Sequence, residues 1–268
     1  MKISVVMVFH NELEFLPGWV KSVKRYADEI VCACHDATDG SMEYMEKVSK
    51  NIIIPMKIIY FPDKDTVYKH GFSYMKNAVA DLATGDWVVS LDADEEMEMT
   101  KKDLRPFDRG ADICVFSASM VTWSRNDRWL RNGEIDRKLM RKEAKWKYLG
   151  DTCSCRIFRN RMGIKWSGLI HERMRQKNGR LALPSRRTNI RRWDYGSMGD
   201  PKKREFKDGL YAELICRIVQ EPSLLGATHN FWRTEYYEQN KEQLLKLRRE
   251  YRDQLKMEKT AVFKRRTK

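Results

Sequence analysis

The 268-residue sequence contains no apolar run long enough to cross a bilayer, although 42% of its residues are hydrophobic. A membrane-spanning helix needs about 20 consecutive apolar residues, so the sequence excludes proteins built on such a helix. It also lacks internal repeats and low-complexity linkers, which excludes a solenoid or a chain of separate modules. Because an apolar strand pattern starts at residue 3, we expect no signal peptide and predict a cytoplasmic protein.

Cysteine is sparse, and its spacing does not suit a structural zinc site. The chain has six cysteines, and both Cys-x-Cys pairs, Cys32 with Cys34 and Cys153 with Cys155, lie in apparent strands. Neither pair has the spacing of a zinc knuckle. We therefore expect reduced thiols that line the core or a site, as is usual for cytosolic proteins.

Four short apolar runs alternate with helical patterns in the first third of the chain. The runs lie at residues 3–9, 30–34, 57–60 and 87–91. This alternation predicts an α/β fold with a mostly parallel sheet and right-handed crossovers. Helical patterns at 201–219 and from 236 to about 257 predict an added helical piece at the C-terminus.

Two carboxylates, Asp92 and Asp94, come directly after the fourth apolar run. Alternate residues of an extended segment share a face, so we expect both side chains to point the same way. In open α/β sheets, ligands bind at the carboxyl ends of the strands. Neighbouring carboxylates repel each other unless a cation lies between them, and oxygen ligands suit Mg²⁺ or Mn²⁺. The pattern therefore predicts a site where a divalent metal ion, bound by these carboxylates, holds the diphosphate of a ligand.

Positive charge is concentrated in the middle of the chain. Residues 1–120 carry 14 Lys and Arg against 20 Asp and Glu, whereas residues 121–192 carry 21 against 6. Cations that alternate with flat apolar side chains attract polyanions, such as nucleic acid, an anionic membrane or a glycan. A solvated basic face is the alternative interpretation. The residues that we expect to meet a polyanionic acceptor are Trp123, Arg125, Trp129, Arg137, Lys138, Arg141 and Lys142.

Five segments between residues 3 and 175 resemble, in the same order, those of family 2 glycosyltransferases. These enzymes have the GT-A fold and move a sugar from a nucleotide-diphosphate donor with inversion. The segments are Ser4-Val5-Val6-Met7 with His10-Asn11-Glu12, Asp36-Ala37-Thr38-Asp39-Gly40-Ser41, Lys76-Asn77-Ala78, Gly85-Asp86-Trp87-Val88 with Asp92-Ala93-Asp94-Glu95, and Arg156-Ile157-Phe158-Arg159-Asn160 leading to Trp166-Ser167-Gly168-Leu169-Ile170-His171-Glu172. The last segment resembles the branch that includes lipopolysaccharide-core glucosyltransferases.

The resemblance implies a Rossmann-like GT-A fold, with a mostly parallel central sheet flanked by helices and a C-terminal helical extension. The GT-A domain is expected over residues 1–197. It would divide into a nucleotide-sugar half, residues 1–120, and a basic acceptor half, residues 121–197. Residues 198–268 would form the helical extension with its basic tail.

The resemblance also implies the donor site. Asp94 would bind the metal on the donor diphosphate, and Asp92 would contact the ribose or a metal-bound water. Asp36 would accept a hydrogen bond from the base or the ribose, although the family carries its acid where Cys34 stands. The donor-binding residues implied in this way are His10, Asn11, Glu12, Asp36, Lys76, Asn77, Asp92, Ala93 and Asp94.

Glu172 matches the family's carboxylate at the head of the acceptor site. Inverting transfer needs a base that takes the proton of the acceptor hydroxyl as it attacks the anomeric carbon. The alternative is a structural turn at His171 and Glu172. A further possibility is that His171 acts as a metal ligand and, with Asp92 and Asp94, coordinates Mn²⁺ or Mg²⁺. A histidine frequent in the family is missing near residue 194, so Asp194 or His229 would replace it, or fewer ligands would suffice.

The sequence thus predicts an inverting, metal-dependent glycosyltransferase, with uridine diphosphate-glucose as the donor implied by resemblance. Two acceptors stay open, a lipid-linked or lipopolysaccharide glycan and DNA with a hydroxylated base, on which Trp123 or Trp129 would stack. The setting would be the cytoplasm, the inner membrane surface or a virus-infected host cell. The competing class is a non-catalytic nucleic-acid or anionic-membrane binding protein on a degenerate GT-A scaffold. That class leaves the retention of Asp92, Asp94 and Glu172 without a reason.

Overall fold

The structure is a computed structural model of the chain. It describes residues 1–63, 65–108, 114–121, 127–132, 134–143, 155–170, 172–182, 186–220 and 237–266. The chain divides into two compact units. The first consists of Met1–Ser167 and His171–Gly199, and the second of Gly168–Ile170 and Asp200–Lys268.

The four predicted strands form one half of the central sheet. They are β1 (Ile3–Phe9), β2 (Glu29–His35), β3 (Met56–Phe61) and β4 (Trp87–Ser90). Their order in the sheet is β3-β2-β1-β4, and all three pairings are parallel. Every residue of β2 and β4 is buried, as expected for parallel strands that are covered on both faces.

Three helices connect these strands. They are α1 (Leu16–Val23), α2 (Ser41–Asn51) and α3 (Thr66–Asp81). α1 packs Leu16 and Trp19 into the core on one face of the sheet, and α3 packs Val79 on the other. Inside α3, Gly71 has φ 74°, a left-handed value that favours glycine, so α3 consists of two helical pieces joined at a kink.

Four further strands extend the sheet to eight. The elements of this part are β5 (Glu95–Glu98), α4 (Lys101–Asp108), β6 (Cys114–Val121), β7 (Leu130–Arg131), β8 (Glu134–Ile135), α5 (Arg137–Glu143), β9 (Cys155–Arg159), β10 (Lys165–Ser167), β11 (Arg173–Arg175) and β12 (Arg186–Asp194). The complete order is β3-β2-β1-β4-β9-β6-β12-β5, while β7 with β8 and β10 with β11 form two small hairpins.

Strand directions are mixed in this second half. β9 is antiparallel to both β4 and β6, and β12 is parallel to β6 but antiparallel to β5. At the end of the sheet, the Ser22 hydroxyl donates to the carbonyl of Met97 on β5 at 3.0 Å and accepts its N–H at 2.8 Å. The predicted fold class is confirmed: a mostly parallel α/β sheet flanked by helices.

The second unit contains α6 (Pro201–Gln220) and α7 (Tyr237–Arg266), and it confirms the predicted helical extension. α7 runs beyond the end predicted near residue 257. Glu213 on α6 accepts hydrogen bonds from Arg252 and Arg248 on α7, at 2.8 and 2.9 Å. Burial raises the pKa of Glu213, but the two arginines lower it by more than burial raises it. The pKa of Glu213 therefore lies below its ordinary value. Within the described ranges, no helix has the length and apolar character of a membrane span.

Candidate active site

A tight turn between β4 and β5 carries Asp92, Ala93 and Asp94. The Glu95 N–H donates to the Asp92 carbonyl at 3.0 Å and closes the turn. Ala93 is buried in the core, which fixes the turn against the sheet. The two aspartates therefore do not belong to an extended segment, and the argument from strand alternation does not apply. Each of them contacts different partners.

Asp92 lies between two buried cations. Its Oδ1 is 3.1 Å from Lys76 Nζ, and its Oδ2 accepts a hydrogen bond from Arg156 Nη2 at 2.9 Å. Lys76 also forms an ion pair with Glu172. Burial lowers the pKa of Lys76, but the Asp92 and Glu172 carboxylates raise it by more than burial lowers it. The pKa of Lys76 therefore lies above its ordinary value, and Lys76 stays protonated. Asp92 and Glu172, far apart in sequence, thus share one ammonium group.

Glu95 holds the turn through hydrogen bonds and ion pairs, a role that no sequence pattern indicated. It is 1% exposed, and its Oε2 accepts the Asp92 N–H at 3.0 Å. Its Oε1 accepts a bond from Arg156 Nη2 at 2.7 Å and forms an ion pair with Arg192. Three cations, Lys76, Arg156 and Arg192, therefore balance the three carboxylates Asp92, Glu95 and Glu172.

Asp94 and Asp194 stand apart from this balanced network, because neither forms a salt bridge with another residue that the structure describes. Tyr195 N–H donates to the Asp94 carbonyl at 2.8 Å, which joins the turn to the end of β12. Burial and the charges of Asp94 and Glu95 raise the pKa of Asp194 to about 7. The nearby charge of Arg192 lowers this pKa but does not outweigh the rise. Two oxygen donors that form no salt bridge with a described residue suit Mg²⁺ or Mn²⁺.

Gly196 leaves room for the Asp94 carboxylate to approach the main chain. A Cβ atom added at this position would lie 2.4 Å from Asp94 Oδ2 and 3.4 Å from Asp194 Oδ1. The described residues contain no cluster of three or more potential His, Cys, Asp or Glu ligands. The predicted metal ligand His171 and its alternative His229 lie outside the described residues.

The residues predicted to meet the nucleoside build the loops after β1 and β2. His10 Nδ1 donates to the His35 carbonyl at 2.5 Å, and Asn11 Nδ2 donates to His10 Nε2 at 3.2 Å. Asn11 Oδ1 accepts the Thr38 N–H at 2.7 Å. These bonds imply a His10 tautomer with the proton on Nδ1, and they join the carboxyl ends of the two strands.

Two other predicted positions, Glu12 and Asp36, lie around these loops. The Glu12 N–H donates to Ser41 Oγ at 2.9 Å. Asp36 follows β2 directly and has φ 42°, an uncommon value for a non-glycine residue. Cys34, which stands in place of the family's acid, is buried, and burial raises its pKa to about 11. A neutral thiol therefore cannot supply the missing charge, and Asp36 is the carboxylate closest in sequence to that position.

The basic acceptor cluster divides into two groups. Arg137 and Arg141 both form ion pairs with Glu96, and Arg141 Nη1 lies 3.2 Å from Glu98 Oε1. The two guanidinium groups stack over Tyr195 and Trp193, each 5.2 Å from the ring centroid. Arg137 and Arg141 thus anchor α5 to β5 and β12, together with the buried Met140.

The other members of this cluster differ in their surroundings. Lys138 and Lys142 are exposed on α5. The Trp129 indole donates to Glu143 Oε2 at 2.8 Å, so its N–H is already bonded within the protein. Trp123 and Arg125 lie outside the described residues. Of the described cluster, the two lysines are therefore the side chains best placed to meet a polyanion.

An α/β sheet with an acidic turn at the carboxyl end of β4, joined by a second acid from β12, defines a domain of the GT-A class. The family model of glycosyl transferase family 2 matches residues 4–164. This chain belongs to that family.

The relatives match only part of the chain. A 102-residue segment is 26% identical to the uncharacterized glycosyltransferase RC0292 of Rickettsia conorii, covering 38% of this chain and 32% of that protein. A 96-residue segment is 28% identical to a TPR repeat-containing protein of Synechococcus elongatus, covering 36% and 21%. The matched segment therefore spans a third or less of the length of these relatives.

Similar solved structures include Staphylococcus aureus TarS, with a TM-score of 0.48 and 14% identity, covering 80% of this chain and 40% of that chain. Another is the mannosyltransferase PcManGT from Pyrobaculum calidifontis in complex with GDP-Man and Mn²⁺. Its TM-score is 0.40, its identity is 11%, and the match covers 82% of this chain and 64% of that chain.

Proposed function

We propose that this protein transfers a sugar from a nucleotide-diphosphate donor to an acceptor hydroxyl, with inversion and with a divalent metal. Family membership supports the reaction class. The observation that carries the proposal is the arrangement at the carboxyl edge of the sheet. There, the acidic pair of Asp94 and Asp194 lies beside a charge-balanced network that contains Glu172.

Asp94 and Asp194 would hold Mn²⁺ or Mg²⁺. Their oxygen donors, their mutual repulsion and the close fit of the Asp94 carboxylate against Gly196 support this choice. The metal would neutralise charge on the donor diphosphate as the sugar leaves. Asp92 is already neutralised by Lys76 and Arg156, so a contact with the ribose or a metal-bound water suits it better than direct ligation. His171 stays a candidate third ligand.

Glu172 would act as the base. Its carboxylate takes the proton of the acceptor hydroxyl while the oxygen attacks the anomeric carbon, and the bond from that carbon to the diphosphate breaks on the opposite face. The ion pair with Lys76 supports this role, because it holds the Glu172 carboxylate in a fixed place beside the Asp92 turn. The side chain of Glu172 is 11% exposed, which limits the access of water to it.

The donor and acceptor are proposed by class. Uridine diphosphate-glucose is the donor suggested by the resemblance, and the acceptor would be polyanionic. Exposed Lys138 and Lys142 support an anionic acceptor, either a lipid-linked or lipopolysaccharide glycan or DNA with a hydroxylated base. Such acceptors fit work in the cytoplasm, at the inner membrane surface or in a virus-infected host cell.

The test is donor hydrolysis. The protein is incubated with a panel of nucleotide sugars and Mn²⁺, and the released nucleotide diphosphate is followed. Asp94→Asn should abolish release, because an amide loses the charge that holds the cation. Asp86→Asn, which changes an exposed carboxylate at the other end of β4, should leave it intact. No release from any donor, combined with tight binding of DNA or anionic vesicles, would favour the non-catalytic binding protein.

A further inference from the structure

Two adjacent residues of α3 hold both ends of one short segment, residues 166–172. Asn77 makes two hydrogen bonds to the main chain of Trp166: its Nδ2 donates to the carbonyl at 2.9 Å, and its Oδ1 accepts the N–H at 2.8 Å. Lys76 forms the ion pair with Glu172 at the other end. The segment that carries the proposed base is therefore tied to a single helix at its start and at its end.

The Trp166 end of this segment is firmly placed. Trp166 is 5% exposed, and its ring meets Phe158 of β9 edge to face, with 5.2 Å between ring centroids. It also packs in the core cluster that contains Val79 of α3. One N–H and one lone pair of the Asn77 amide are thus taken up by a buried main-chain partner, which fixes the orientation of this side chain toward Trp166.

The Glu172 end is tied to the donor side as well. Lys76 Nζ lies 3.1 Å from Asp92 Oδ1, and Arg156 holds Asp92 from the other side at 2.9 Å. Lys76 is 7% exposed, so solvent and salt screen its ion pairs little. A displacement of Glu172 would therefore shift Lys76, and through Lys76 it would also displace the Asp92 side chain.

We propose that Lys76 and Asn77 are positioning residues that fix Glu172 and Trp166 to α3 and to the Asp92 turn, and that Asn77 does not contact the donor. This inference rests on the proposed function of Glu172 as the base. Asn77 sets where the segment begins, and Lys76 sets the distance between the Glu172 carboxylate and the donor turn. The role that the family resemblance implied for Asn77, donor binding, is thereby replaced.

The first test separates turnover from donor binding. In Asn77→Ala, both main-chain groups of Trp166 lose their partner, and a base misplaced by about 1 Å costs on the order of 10²-fold in rate. We expect turnover to fall by this amount, while the affinity for UDP with Mn²⁺, measured by calorimetry, stays within about twofold. Asn77→Asp keeps the acceptor for the Trp166 N–H but places a carboxylate oxygen against the Trp166 carbonyl, so its turnover should fall as well.

The matched control is Asn160→Ala. The Asn160 amide also bonds the main chain, at the carbonyls of Ala83 and Gly85 at 2.8 and 2.9 Å, but it lies at the amino end of β4. It should reduce stability without changing turnover of the folded fraction. If Asn160→Ala lowers turnover as much as Asn77→Ala does, the effect is general destabilisation and the inference is wrong.

Hydrogen exchange gives a readout that does not depend on activity. Peptides covering residues 166–175 should exchange faster in Asn77→Ala than in the unmodified protein, and should not change in Asn160→Ala. Unchanged exchange, or a UDP affinity that falls as much as turnover, would overturn the inference. If the unmodified protein releases no nucleotide from any donor, the proposed function fails, and the exchange experiment still decides whether Asn77 positions the segment.

Substitutions of Lys76 test the second half of the proposal. Lys76→Arg keeps the charge between Glu172 and Asp92, whereas Lys76→Met leaves these two carboxylates without their shared cation. We expect Lys76→Arg to retain more turnover than Lys76→Met. Equal losses in both variants would contradict a positioning role that acts through this charge.

Discussion

Gly196 and Asp94 are in such close contact that no side chain fits between them: a Cβ atom on Gly196 would lie 2.4 Å from Asp94 Oδ2. Real Cβ atoms do not approach an oxygen so closely, so any larger residue would displace the carboxylate. Gly196 follows β12 and Asp94 follows β4, and the two positions meet at the same edge of the sheet. The glycine therefore determines where the Asp94 carboxylate can lie.

The first prediction concerns this contact. Gly196→Ala should move the Asp94 carboxylate and weaken Mn²⁺-dependent binding of a nucleotide diphosphate by at least about tenfold, as expected for a metal site whose supporting geometry is lost. Calorimetry with UDP and Mn²⁺ measures the effect. Gly179→Ala is the control for backbone strain alone, because its φ of 79° disfavours alanine while its added methyl group meets no atom within 4 Å. Unchanged binding in Gly196→Ala would separate Asp94 from the metal.

A second prediction follows from the raised pKa of Asp194. In the folded protein this pKa is about 7, above the ordinary value of 3.8. Stability linked to this group is fully present below the lower pKa and is lost as the pH rises through about 7. The Asp194→Asn side chain cannot ionise, so the variant does not lose this stability at high pH. The melting temperature of the variant minus that of the unmodified protein should therefore be larger at about pH 8 than at about pH 5.

Added metal should reverse that difference. A cation that binds the folded state of the unmodified protein raises its melting temperature by mass action, and the amide of Asp194→Asn weakens this effect. We therefore expect Mn²⁺ to stabilise the unmodified protein more than the variant at neutral pH. Equal stabilisation of both proteins would show that Asp194 does not bind the metal.

The third prediction tests the base. Glu172→Gln should leave UDP binding intact and lower turnover by roughly 10²–10⁴-fold, the usual contribution of a positioned general base. Glu46→Gln, on the exposed face of α2, is the control. Near-normal turnover of a folded Glu172→Gln variant would place the base elsewhere. Asp194 is then the next carboxylate to test, with Asp151 outside the described residues.

The fourth prediction separates the two groups of α5 cations. Changing Lys138 and Lys142 to Ser should flatten the salt dependence of DNA binding by about 0.7–0.9 per lost phosphate contact in a log–log plot, with little change in melting temperature. Changing Arg137 and Arg141 to Ser should instead lower the melting temperature, because buried Glu96 loses both partners.

Fluorescence anisotropy with labelled DNA and sedimentation with anionic and neutral vesicles measure the acceptor side of this prediction. A steep salt dependence with DNA supports the DNA acceptor, and selective sedimentation with anionic vesicles supports the lipid-linked glycan. Binding to neither at physiological salt would mean that Lys138 and Lys142 form a solvated face, and the polyanionic acceptor would be wrong.

The strands β1, β2 and β4 could be predicted because their buried residues are nearly continuous in sequence, as is usual for parallel strands covered on both faces, whereas β3 could be recognised from its apolar residues although none of them is fully buried. The acidic turn after β4 could be found for the same reason, since a buried strand that ends in polar residues points to a sheet edge. Such local patterns do not depend on distant parts of the chain. They are the features that a single sequence expresses most directly.

β5 shows where this reasoning ends. Its sequence, Glu95 to Glu98, carries three acids and resembles a solvated turn. Glu95 and Glu96 are nevertheless buried, because Arg156, Arg192, Arg137 and Arg141 reach them from β9, β12 and α5. A cation that meets a buried acid looks the same in sequence as one that faces water. For that reason, the sequence places Arg137 and Arg141 on the acceptor surface and does not predict their ion pairs with Glu96.

The single hydroxyl of Ser22 has a consequence for how copies of this protein meet each other. It satisfies both outward main-chain groups of Met97 on β5, so this border of the sheet cannot accept a strand from another molecule there. At the opposite border, β3 has Lys57 exposed, a residue type that discourages pairing between edges. The two borders are thus protected against aggregation by different means, one by a neighbouring helix and the other by charge.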